Sequence, residues 1–161
     1  MYIRLKGTIM EDFTNYKEPS MFLITSVCDF KCCIEANNNV CQNSDLVKQP
    51  TLQIKIDSLY ESYINNPITS SIVIGGLEPF DQWDEIFDFI NYFRIVKGNK
   101  DPIVIYTGYY PNEIDGYVQF LKLFDNIIIK FGRFIPNQKH KYDEVLGVEL
   151  ASDNQFAIKI S

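Results

Sequence analysis

All four cysteines of the chain, Cys28, Cys32, Cys33 and Cys41, lie within fourteen positions, in the stretch SVCDFKCCIEANNNVCQNS. Two of them are adjacent, and neighbouring cysteines rarely bridge each other, so a pair of local disulfides is an awkward use for the four. Thiolates offered from one short loop suit a metal, and above all an iron-sulfur cluster. Structural zinc usually draws four ligands from two C-x-x-C-like knuckles, which this chain lacks. Its one histidine, His140, lies about a hundred residues downstream of the cysteines, so a mixed Cys/His zinc site would have to be assembled at long range. The spacing therefore favours a cluster over zinc and over inert buried thiols.

Positioning such a loop takes a scaffold, and the rest of the chain supplies one. Apolar runs of strand length alternate with stretches at helical spacing, the pattern of a parallel sheet with crossover helices. YIRLKGTI alternates as a half-buried edge strand does; MFLITSV, SSIVIGG, DPIVIYTG and NIIIKFG read as strands of the sheet, and FAIKIS as a last one. Three helices are expected: one from about Asp57 to NNP, one carrying Trp83, Ile86, Phe87, Ile90 and Phe93 on a single face, and one after Pro111 with Ile114, Val118 and Leu121. The fold class is α/β, in one domain over 1–161.

Cys28 and Cys32, with three residues between them in CDFKC, come just after MFLITSV, where the chain leaves the C-terminal end of the sheet. That is where α/β folds place ligands. Gly75 and Gly76 end the next strand and permit close backbone approach, with Glu78 just beyond them. Thr107 and Gly108 close the following strand on the same edge. Each has a plainer reading, Glu78 beside a helix N-terminus and Thr107 in a capped turn.

Composition excludes several function classes. A net charge of -6 and a pI near 4.7 give no electrostatic footprint for phosphate backbones, despite the small basic cluster PNQKHK, so no nucleic-acid partner is expected. The longest apolar runs are strand-sized, far short of the roughly 20 residues of a membrane helix. MYIRLKGTIMEDF lacks the basic start and cleavage site of a secretory signal, so a cytoplasmic setting with reduced thiols is expected. His140 reads as a solvated surface residue.

Read in order, VCDFKC, VCQN, GGLEP, IYTGY, FGRF and the closing ASDNQ resemble the activating proteins of anaerobic ribonucleoside-triphosphate reductase, small members of the radical S-adenosylmethionine superfamily. The resemblance runs from about Phe22 to Gln155. It implies a partial, open parallel β/α barrel of about five or six strands, and a 4Fe-4S cluster on three cysteines whose remaining iron chelates S-adenosyl-L-methionine. Reductive cleavage of that cofactor then yields a 5'-deoxyadenosyl radical, which takes a hydrogen from a glycine of the partner enzyme. It further implies a flavodoxin-like or other electron donor, and a methionine-binding role for Gly75, Gly76 and Glu78, with Thr107 and Gly108 near the ribose or adenine.

The chain departs from that family in one place. Where two residues usually separate the second and third cysteines, position 35 is Glu35. Matching VCQN to the family's last cysteine implies the ligands Cys28, Cys32 and Cys41, with eight residues between the last two and Cys33 spare. The set Cys28, Cys33 and Cys41 stays open. The NNN run suits a bulged loop, because asparagine tolerates positive φ. Leu77 separates the glycines from Glu78, and Phe131 stands where the family has an acid. Arg133 is expected to meet a carboxylate of cofactor or partner, and Asn154 with Gln155 resembles the family's terminal pair. Two other functions remain open: a non-catalytic cysteine-loop protein holding zinc or a cluster, and a radical enzyme acting on a different protein or peptide.

Overall fold

In the computed structural model, which describes residues 1–161, nine strands and four helices form. Seven strands make one sheet. They are β1 (Tyr2–Asp12), β2 (Ser20–Thr25), β3 (Leu52–Lys55), β4 (Ser71–Gly75), β5 (Ile103–Tyr106), β6 (Ile127–Phe131) and β9 (Phe156–Lys159), in the spatial order β3-β1-β2-β4-β5-β6-β9. The inner four, β2, β4, β5 and β6, are parallel; β1, β3 and β9 join antiparallel at the two sides. β7 (Lys141–Asp143) and β8 (Val148–Leu150) form a separate hairpin.

Side-chain alternation sorts the sheet into two faces. Met21, Leu23, Ile72, Ile74, Ile103, Ile105, Ile127 and Ile129 turn to one face. They pack against α2 (Ile56–Ile64), α3 (Trp83–Asn91) and α4 (Asp115–Leu121) in the main core. Val73, Val104 and Ile128 turn to the other, where Tyr16, Leu146 and Leu150 of the β1–β2 loop and the hairpin cover them. Both faces of β4 and β6 are thereby buried along their whole length, which is why SIVIG and IIIKF are nearly unbroken apolar runs.

Two expectations change, and two elements appear that the sequence did not announce. The sheet has seven strands, not five or six. YIRLKGTI does not form an edge: β1 pairs on both sides, with β2 and with β3. β3 escapes notice in the sequence because three of its four residues are exposed, so it carries no apolar alternation. The hairpin β7–β8 is hidden for a similar reason, its inward contacts reduced to a few residues such as Asp143 and Leu150. The three expected helices are present, the second prolonged by a wider π-helical turn at Tyr92–Val96 and the third preceded by a tighter 3-10 turn at Pro111–Glu113. No helix is long and apolar enough to cross a membrane.

Candidate metal centre

The parallel strands β2, β4, β5 and β6 all end at one edge of the sheet, and the residues that follow them enclose a cavity of about 660 Å³. That volume is ordinary for a small-molecule or cofactor site. Beyond Thr25 the chain passes through Cys28 into the short helix α1 (Lys31–Ala36), which carries Cys32 and Cys33. Left-handed residues flank α1, Phe30 at φ 58° and Asn37 at φ 47°. Asparagine accepts that conformation readily, as expected of the NNN run; for Phe30 it is strained. The loop then returns through Cys41 to Asn43, whose side-chain amide donates to the Gly76 carbonyl at 2.8 Å.

Cys28, Cys32 and Cys41 are half-buried and line the cavity; Cys33 does not. It lines a separate hollow on the outer side of the loop with Asn37, Asn38 and Asn39, its thiol 3.6 Å from Asn39 Oδ1. All four thiols are free. Burial pushes the Cys28 thiol up to about 12, the Phe30 N–H at 3.3 Å opposing and the charges of Glu78, Asp81 and Cys41 adding to the rise. Cys32 is raised for the same reason, against a hydrogen bond from the Phe134 N–H, with Cys41 again adding. Three thiols lining one cavity, with Cys41 close enough to Cys28 and Cys32 to raise both, are a donor set that a cationic iron centre fits, and metal binding would drive their protons off.

The strand-end residues complete the wall. Gly76, Glu78, Thr107 and Gly108 line the cavity, and Gly75 stands just behind them on the same sheet face. Gly76 has φ +94°, and a Cβ there would lie 2.7 Å from Ile24 Cγ2. At Gly75 a Cβ would come within 3.0 Å of Tyr106 Cβ. Both glycines are thus required by the packing of strand against strand. Glu78 is buried and accepts from Thr107 Oγ1 at 2.7 Å, Gly108 N at 2.9 Å and Phe80 N at 3.1 Å. Those bonds cap the turn Pro79–Gln82 and lock the end of β4 to the end of β5, leaving about one of the carboxylate's four acceptor positions free. Burial raises Glu78 to about 7, although all three donors favour its charge.

Two basic residues behave differently from one another. Lys130, absent from the sequence-based site, lies on the cavity wall, 7% exposed, with one hydrogen bond from Nζ to the Gly132 carbonyl at 3.0 Å. Burial lowers it to about 8, with Glu78 opposing. A lysine inside the otherwise apolar run NIIIKF, in phase with Ile128, is the signal by which the sequence could have revealed it. Arg133 is not held ready for an outside carboxylate: it binds the chain's own Glu35 and Glu113. Asn154 donates to the Arg133 carbonyl at 2.8 Å and Gln155 to the Gly132 carbonyl at 3.2 Å, so the pair buttresses the end of β6. His140 is exposed and has no place in the wall.

A search of curated proteins finds no match to this chain. Residues 19–156 match the model of a family described as a 4Fe-4S single cluster domain, a span that includes the whole cysteine loop and all four strand ends around the cavity; the chain belongs to that family.

Proposed function

We propose that the chain is a radical S-adenosylmethionine enzyme of the glycyl-radical activating type, folded as a single domain with its open sheet as a partial barrel. One observation carries the reading: three of the four cysteines line the cavity formed by the strand ends, and the fourth lines another. Three thiolates cannot saturate four irons, so a cluster held by Cys28, Cys32 and Cys41 keeps one iron for an external ligand. When bound and reduced, the cluster supplies the electron that cleaves the sulfonium of S-adenosyl-L-methionine to methionine and a 5'-deoxyadenosyl radical.

The protein's own part is binding, orientation and exclusion of water. Gly76, Glu78, Thr107 and Gly108 form the wall against which the cofactor rests, and the acceptor position left on Glu78 suits its ammonium group. Lys130 provides a buried cation with spare donors for its carboxylate. The sheet ends in β3 on one side and β9 on the other without closing, which favours a macromolecular substrate whose own loop completes the wall. The partner in this reading is a glycyl-radical enzyme, anaerobic ribonucleoside-triphosphate reductase in the first place, with a flavodoxin-like or other electron donor.

The test has two stages. Anaerobically reconstituted Cys28→Ala, Cys32→Ala and Cys41→Ala should lose the 4Fe-4S cluster while Cys33→Ala retains it, measured as iron and sulfide per chain; loss in Cys33→Ala with retention in Cys32→Ala overturns the ligand set. Reduced wild type incubated with the cofactor and the reductase should then give 5'-deoxyadenosine together with a glycyl-radical resonance. A redox-inert cluster that forms no 5'-deoxyadenosine would leave the non-catalytic reading in its place.

A further inference from the structure

Glu35 sits in the last turn of α1 and takes no part in the cavity wall, yet it makes one of the tightest contacts of the cysteine loop: Arg133 Nε donates to Glu35 Oε2 at 2.6 Å. The same guanidinium donates to both oxygens of Glu113 at 2.7 and 3.2 Å and to the Gly108 carbonyl at 3.2 Å, and lies 4.6 Å over the Tyr110 ring. Its side chain is only 9% exposed. Burial opposes the charge, but Glu113 and Glu35 outweigh it and raise the pKa of Arg133 further. One residue thus joins three segments: the cysteine helix, the turn after β5, and the exit from β6. A Cβ on Gly108 would lie 3.4 Å from Arg133 Cγ and 3.7 Å from Cys32 Sγ, so the arginine stem and the thiol pack around one point of the backbone.

We infer that the Glu35–Arg133 pair is a clasp that positions Cys32 for the cluster and sets the charge beside it, closing the cysteine loop at the residue where the usual three-cysteine spacing would place a thiolate. The inference rests on Cys32 being a ligand. Both halves of the clasp hold the loop in the same way, but their charges act on the cluster in opposite senses. Reduction adds a negative charge, which Arg133 stabilises and Glu35 disfavours. Neutralising either residue loosens the loop, whereas the reduction potential should rise without Glu35 and fall without Arg133. A role in packing alone gives no such opposition of sign.

The experiment uses the full chain reconstituted anaerobically, in wild type, Glu35→Gln, Arg133→Gln, Arg133→Lys and Cys32→Ala. Iron and sulfide content, the rate of iron release to a ferrous chelator and the midpoint potential of the cluster are measured. Glu35→Gln and Arg133→Gln should assemble the cluster but release iron about fivefold faster, the scale of one charge-assisted hydrogen bond discounted for the half-exposed Glu35. Their potentials should move up and down respectively, and Arg133→Lys, which keeps the charge, should restore the potential. Wild-type release rates in both neutralised variants, or potentials moving in the same direction, would overturn the clasp. If Arg133→Gln fails to fold, Glu35→Gln decides alone: faster release with a raised potential supports the clasp, and anything else sinks it. Retention of the cluster in Cys32→Ala refutes the ligand assignment beneath the inference; loss there, with Glu35→Gln unchanged, refutes only the clasp.

Discussion

A carboxyl buried as Glu78 is, and raised to about 7, makes the stability of the cluster-free protein depend on pH. Between its ordinary value near 4.3 and 7 the folded chain holds a proton that the unfolded chain has released, so stability falls as pH rises through that window. The loss is at most about 4 kcal/mol, and Glu78→Gln should flatten it. Urea midpoints of both proteins from pH 4 to 8 check this; parallel curves would mean that Glu78 does not titrate there. The glycines give a second contrast. Gly76→Ala combines a left-handed φ with a contact of 2.7 Å and should cost about 3 kcal/mol, whereas Gly108→Ala, whose nearest neighbour would be 3.4 Å away, should cost under about 1 kcal/mol. Thermal melts of the two variants decide it. At this scale the sequence is informative about residue type and poor about direction. It marks Glu78 and Arg133 as charges near the sheet edge, but only the packed chain shows that both are engaged by the protein itself, because hydrogen-bond partners such as Thr107 and Glu113 come from distant segments.

Among the elements, those with buried faces were readable and those without were not. The six apolar runs became β1, β2, β4, β5, β6 and β9, and the stripe Trp83, Ile86, Phe87, Ile90 and Phe93 lies on the core side of α3 and the turn after it, because burial imposes a period on the residues. α1 buries nothing, and β3 and the hairpin bury little, so no period betrays them. The cysteine loop owes its shape instead to single contacts. Asn43→Ala removes the bond to the Gly76 carbonyl that tethers the arm bearing Cys41, and should speed iron release severalfold, as expected of one hydrogen bond worth about 1 kcal/mol, without lowering the melting temperature of the cluster-free chain. An unchanged release rate would show that Cys41 is held by other means.

For the molecule as a whole, the sheet order has a consequence for how iron enters. The segment from Ser26 to Thr51 holds all four cysteines, and it leaves the sheet from β2 and re-enters at β3, with β1 hydrogen-bonded between the two. Both ends of the excursion are therefore fastened by strand pairing that involves no sulfur. Small cysteine domains whose only core is their metal collapse without it; this chain has a 23-residue core, and no thiol is part of it. The apoprotein should unfold in one cooperative transition, and loading with iron and sulfide should raise its melting temperature by no more than the binding linkage demands. A non-cooperative melt of the apoprotein in calorimetry would contradict this. With a scaffold that folds first, acquiring and losing the metal become local events in a finished protein, and the chain can persist through iron scarcity as a folded, reloadable receptor.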